Sequence, residues 1–149
     1  MSVINSLELS FLSVNKNNII FQRDDNAGED VSLMFEVQSV SSENLNNRDE
    51  YKLTFIYDSK GINKPVEKIE DLNKDDFDFS IEYAVDYFFK ITDIDVFDKI
   101  SEKEKNEYCA NLVYLDFRRR VLFLMSSIGV GSFKLPLSLA HLKRENGPE

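Results

Sequence analysis

Hydrophobic positions recur with a period of two in four segments as far as Ile91, and with a helical period between Ser101 and about Ile128. Leu7, Leu9 and Phe11 alternate with Glu8 and Ser10. Val31, Leu33, Phe35 and Val37 share a parity against Ser32, Glu36 and Gln38, and Tyr51, Leu53, Phe55 and Tyr57 alternate with Lys52, Thr54 and Ile56. Successive side chains of a strand point to opposite faces, so each segment predicts a strand with one buried face. The longest run, "FDFSIEYAVDYFFKI", sets Phe77, Phe79, Ile81, Tyr83, Val85, Tyr87, Phe89 and Ile91 on one side. Asp78, Ser80, Glu82, Ala84, Asp86, Phe88 and Lys90 fall on the other, so this segment is expected to be the backbone of the sheet. Residues 41–50 read as a loop between antiparallel neighbours, and 58–76 as a longer one with turn residues Gly61 and Pro65. Residues 15–30 are loop-like yet hold Ile19, Ile20 and Phe21, which either tuck onto the core or line a hydrophobic groove.

The helical part has a readable start and stop. Ser101 followed by Glu104 fits a capping box, Glu102 and Glu104 suit the positive end of the helix dipole, and Gly129 and Gly131 end the helix near Ile128. At about 100° per residue, Val113, Tyr114, Phe117, Val121, Leu124, Met125 and Ile128 form one arc broad enough to lie on a sheet. Leu112, Leu115 and Leu122 fall roughly opposite, with Arg119 and Ser126 among them. One helix on one sheet needs a single apolar face, so this second stripe predicts burial against another subunit, or against the "TDIDVFDKI" segment (92–100). Four strands followed by one long helix give an α+β, two-layer architecture.

Charge narrows the choice of partner. The 149 residues suit a single domain, and 18 Lys and Arg against 27 Asp and Glu give a formal charge of −9 at pH 7. That balance argues against a nucleic-acid partner, whose backbone is bound mainly by basic charge. Arg118, Arg119 and Arg120 form the only dense basic run, but successive helix positions splay them, so they are expected to pair with the chain's own carboxylates such as Asp116. The opening residues alternate apolar with polar and lack a basic start, unlike a signal peptide. Val121 to Met125 is far shorter than the roughly 20 residues of a membrane span. No membrane insertion is expected, and the cytoplasm is the expected location.

No catalytic constellation emerges. Cys109, the single cysteine, lies on a mostly apolar side of the helix and reads as a buried structural thiol. His141, the single histidine, sits in a basic surface segment without partners at metal-ligand spacing. "GVGS" (129–132) follows a helix and lacks a lysine, so it is a helix stop and not a phosphate loop, and Asp75–Asp76 reads as solvated charge. A binding protein without metal or cofactor is expected, not an enzyme.

From Cys109 to Leu139 the chain resembles the SecB family, which comprises the bacterial export chaperone and its solitary SecB-like relatives. Asn111, Tyr114, Arg118, Gly129, Phe133, Leu135 and Pro136 stand where that family has its Asn, aromatic stretch, Arg, Gly turn and Pro/Leu link. Upstream, "LELSFLSV" is similar to the family's first strand, Val31 to Lys60 to its second and third, and "FSIEYAVDYFFKI" to its fourth. The resemblance implies a four-stranded antiparallel sheet with a long helix and a short C-terminal helix, assembled as a homotetramer (a dimer of dimers). Its oligomer interface would draw on Leu112, Leu115, Arg119 and Leu122. It implies an ATP-independent holdase that grips non-native polypeptides in hydrophobic grooves, here supplied by Ile19, Ile20, Phe21, Met125, Phe133, Leu135, Leu137, Leu139 and Leu142. Some of these would be ordinary core residues. Glu8 and Glu82 match acidic positions that dock SecA in the export chaperone. Leu12 and Ser80 depart from that pattern, and no long acidic tail follows "LSLAHL", which leaves open SecA or a dedicated client such as an antitoxin of a toxin–antitoxin system. The competing reading is an acidic inhibitory or mimic protein that binds one folded basic partner. An enzyme would have to work with carboxylates alone.

Overall fold

The computed structural model describes residues 6–21, 32–62, 77–131 and 133–145. Within them lie β1 (Leu7–Phe21), β2 (Ser32–Glu43), β3 (Glu50–Ile62), β4 (Phe79–Ile91), α1 (Ile94–Asp98), α2 (Glu102–Ser127) and α3 (Leu139–Glu145). The strands form one antiparallel sheet in the order β1-β4-β3-β2. Gly61 pairs with Asp78 at one end of β3–β4 and Asp49 with Ile91 at the other, so these two strands run in opposite directions. The chain divides into two compact units. One is Met1–Ser13, Ser39–Phe55 and Val85–Glu149; the other is Val14–Gln38 and Ile56–Ala84.

In the first unit, the core is aromatic. Phe55 stacks on Phe117 of α2 with ring centroids 4.8 Å apart, and meets Tyr87 edge-on at 6.4 Å. Tyr51 meets Phe97 of α1 edge-on at 5.1 Å. Such pairs add about 0.5–1.5 kcal/mol each beyond the burial of their area. The sheet-facing arc of α2 is as the periodicity predicts: Val113, Tyr114, Phe117, Val121 and Met125 are buried, and Leu124 and Ile128 are half-buried. The Ser101–Glu104 capping box forms with both of its hydrogen bonds. At the other end Gly129 takes a left-handed φ of 87°, its N–H reaches the Ser126 carbonyl and the Val130 N–H the Met125 carbonyl. That pairing is a Schellman cap, whose left-handed position glycine adopts without strain.

Two expectations about strands change. Leu9 and Phe11 do not face the helix: Phe11 stacks on Phe88 with centroids 4.3 Å apart, while the flanking Tyr87 and Phe89 are buried in the core. Alternation then puts Glu8 on the opposite face from Leu9 and Phe11. As an edge strand with a neighbour on one side only, β1 leaves Leu9 and Phe11 45% and 58% exposed, and Leu7 half-buried. Of the expected loop at 15–30, residues 15–21 are strand instead, because β1 continues through Phe21, and the remainder lies outside the described residues.

In the second unit, Tyr57, Ile62, Phe79, Ile81, Tyr83 and Ala84 are buried. Leu33, Phe35 and Val37 of β2 are half-buried as predicted, with Phe35 6.4 Å from Tyr57. Gly61 is not a turn residue. It lies inside β3, buried against the ring of Phe79. Val31, Pro65 and the Asp75–Asp76 pair lie outside the described residues.

Candidate functional site

The arginine cluster is internally satisfied. Asp116 accepts from Arg119 at 3.1 Å, from Arg120 at 2.8 Å and from the hydroxyl of the buried Tyr87 at 2.8 Å. Burial pushes the Asp116 carboxyl upward, but these hydrogen bonds outweigh it and hold the group below the usual carboxylate range. Arg118 turns elsewhere, donating from Nε to the Leu135 carbonyl at 2.9 Å. The splayed arginines and the pairing with Asp116 are as the helix geometry predicts.

Away from the sheet, α2 shows an apolar stripe. Leu112 and Leu115 are 49% and 59% exposed, Leu122 is half-buried and Arg119 is exposed. Phe123, 74% exposed, belongs to this stripe and was not among the predicted residues. Eleven residues separate it from Leu112, which at about 100° each brings it back to nearly the same helix angle. Segment 92–100 does not cover the stripe: its α1 buries Phe97 against Tyr51 and leaves Leu112 and Leu115 open.

After α2 the chain folds back along it. Tyr114 donates its hydroxyl proton to the Pro136 carbonyl at 2.7 Å, beside the Arg118–Leu135 bond. Lys134, Leu135, Pro136, Leu137, Ser138 and His141 line an open depression here. His141 is exposed, and Cys109 is buried with its thiol pushed up to about 12 by desolvation, as befits a structural cysteine.

A polar clasp that the sequence pattern did not identify ties the start of α2 to β2. The buried Lys105 bonds Glu43 at 2.7 Å and Glu102 at 3.1 Å, with its ammonium 5.0 Å from the Phe97 ring centroid. Burial acts to lower its pKa, but the two carboxylates outweigh this and raise it. Asn106 bonds both Ser39 and Ser41. Lys105 lies four residues before Cys109 on the buried stripe, and that spacing was its only signal.

In the second unit Glu82 is paired with Lys16 at 2.8 Å, and Asn18 reaches it at 3.5 Å. Ile19, Ile20 and Phe21 at the end of β1 are 36%, 43% and 44% exposed.

No protein-family model matches the chain, and no curated protein matches it. Among solved structures, it is similar to a SecB-like chaperone of Mycobacterium tuberculosis, solved in complex with a ChAD peptide from the HigA1 antitoxin. The two share 10% sequence identity with a TM-score of 0.61, over 89% of this chain and 90% of that one. The fold is SecB-like.

Within the SecB-like fold, the residues assigned to a client groove separate by burial. Met125, Leu135, Leu139 and Leu142 are core residues of the isolated chain, Phe133 is half-buried, and Leu137 is 71% exposed. Of the residues expected in the groove and the interface, the exposed apolar ones are Leu137, Leu112 and Leu115 in the first unit and Ile19, Ile20 and Phe21 in the second. Glu8 and Glu82 fall in different units, Glu8 exposed and Glu82 half-buried in its ion pair. No helix among the described residues is long and apolar enough to cross a membrane.

Proposed function

We propose that this protein is an ATP-independent chaperone that holds non-native polypeptides on exposed apolar surface, with an antitoxin-like protein as a dedicated client. One observation carries the reading: the chain shares its fold, over 89% of its length, with a SecB-like chaperone solved with an antitoxin peptide. The exposed apolar residues of α2, Leu137 and the end of β1 give non-native chains something to bind, since apolar contact is non-directional and tolerates many sequences. Self-association through Leu112, Leu115, Arg119, Leu122 and Phe123, as a dimer of dimers, is part of the proposal. Catalysis is not, and neither is SecA docking.

The mimic reading asks for free carboxylates facing a basic partner. Asp116, Glu43 and Glu82 each bond a cation of the chain itself, whereas the net charge of −9 leaves other carboxylates unbalanced, so the salt dependence of binding separates the two readings. Suppression of aggregation of a chemically unfolded protein, without nucleotide and near equimolar ratio, tests the proposal. Protection that survives moderate salt is expected. Failure to protect any non-native protein, antitoxins included, would refute it.

A further inference from the structure

In the first unit, the sheet face turned away from α2 carries apolar side chains that the helix layer does not cover. Ser39 and Ser41 bond Asn106 of α2, and Tyr87 bonds Asp116, so Val40 and Phe88, each one position along, point to the other side. Val40 is 55% exposed there. Phe88 is half-buried under the exposed ring of Phe11, which stacks on it at 4.3 Å. The bonds from Thr54 to Asp86 and from Ile91 to the Asp49 carbonyl fix the β3–β4 register and place Lys52 directly across from Phe88. Because β1 and β4 are antiparallel, the exposed Leu9, two residues back from Phe11, lies beside Lys90, two residues on from Phe88. Strand geometry thus sets two lysines about 8 Å apart beside the aromatic stack.

The charges on this face are not equally engaged. Asp86 accepts from Thr54, and Glu50 accepts from Asn44. Lys52 and Lys90 have no ion-pair partner among the described residues. In a chain of net charge −9 this is a local exception, and at physiological salt the distant carboxylates are screened beyond about 8 Å. Ser42, Asn44, Glu50, Lys52 and Phe88 are among the residues lining a depression of about 220 Å³. That is room for a side chain, whereas pockets for cofactor-sized molecules run to about 300–1,000 Å³.

We propose that this face is a docking surface for an extended acidic segment of a partner protein that carries an aromatic side chain. The guest ring packs on Phe11 and Phe88, where aromatic pairing adds to burial. Lys52 and Lys90 take carboxylates from the same side of the segment. Residues two apart in an extended chain share a face at about 7 Å, the spacing of Phe88 from Lys90, so an Asp or Glu two positions from the guest aromatic meets Lys90. The surface goes beyond the chaperone reading, because it lies across the sheet from α2 and selects a defined pattern of ring and charge.

Fluorescence polarisation of a labelled synthetic peptide, Gly-Ser-Glu-Ser-Phe-Ser-Glu-Ser-Gly, against the full-length protein tests the proposal. Wild type should bind this peptide, and bind the version with Lys in place of both Glu about tenfold less well. Phe11→Ala, at an exposed position outside the core, should weaken binding by about tenfold or more. The double variant Lys52→Glu/Lys90→Glu should reverse the preference and take the Lys peptide over the Glu peptide. Both variants are compared at unchanged circular dichroism. Equal binding of the two peptides by wild type, full binding by Phe11→Ala, or no binding of the Glu peptide by wild type would each overturn the proposal. So would a light-scattering mass for Phe11→Ala below that of wild type, because a second copy of the chain would then occupy the face.

Discussion

Replacing Gly61 by Ala is a sharp test of the packing in the second unit. A Cβ at Gly61 would fall well inside contact distance of Phe79 Cε1 and Cζ, and 3.0 Å from Cδ1. Phe79 is 3% exposed, so its ring has no solvent to swing into. To restore an ordinary carbon–carbon separation of about 3.5 Å, the ring has to retreat by about 1 Å into a filled core. Overpacking of this kind costs about 1–3 kcal/mol, against about 0.5–1 kcal/mol that Ala gains over Gly within a strand. The net loss is about 1–2 kcal/mol, or about 2–8 °C in Tm for a chain of this size. A double-mutant cycle in urea isolates the contact. Phe79→Ala alone costs about 3–5 kcal/mol, and in that background Gly61→Ala should become neutral or stabilising. A change of sign between the two backgrounds is the expected outcome. Gly61→Ala that stabilises the otherwise wild-type protein would refute the claim that Phe79 lies over this glycine.

Two further outcomes follow. Leu115→Asp places a charge in the outer stripe of α2 without touching the core, so light scattering should show a smaller assembly at unchanged secondary structure; a monomeric wild type would rule out the stripe as an interface. Asp116 titrates below its unfolded value, so its contribution is full above the unfolded pKa of about 3.9 and is lost as pH falls through the folded one. Asp116→Asn should therefore lower stability at pH 7 and flatten the acid limb of the urea-midpoint curve between about pH 5 and 2, and an unchanged slope would contradict the depressed pKa.

Strands and helix were legible where burial is strong on one face. Tyr51 to Tyr57 and Phe79 to Ile91 carry a large apolar residue at every second position because β3 and β4 each have a neighbour on both sides and bury one face. Edge strands carry a weaker signal. Alternation shows that Leu9 and Phe11 share a face, but not which face is covered, and Phe88 on the far side of β4 draws Phe11 there. The polar stretch Asn15–Asn18 looks like a loop because an edge strand needs no apolar alternation to pair with one neighbour. Gly61 looks like a turn because its reason, the ring of Phe79, lies on the next strand, where alternation within β3 cannot reveal it. On α2 the outer stripe is legible, and Phe123 shares its helix angle with Leu112. The clasp of Lys105 is not legible, since a buried lysine is intelligible only once Glu43 is brought beside it.

That clasp gives α2 two unequal ends. Its first turns are joined to β2 by Lys105 and Asn106, through Glu43, Ser39 and Ser41, so fraying there would require part of the sheet to loosen as well. Its last turn is completed by main-chain bonds around one glycine. The two ends are thus held by different physics: loss of the Lys105 ammonium would leave Glu43 without its cation at the start of the helix, whereas the end would still be held by the buried Val121 and Met125.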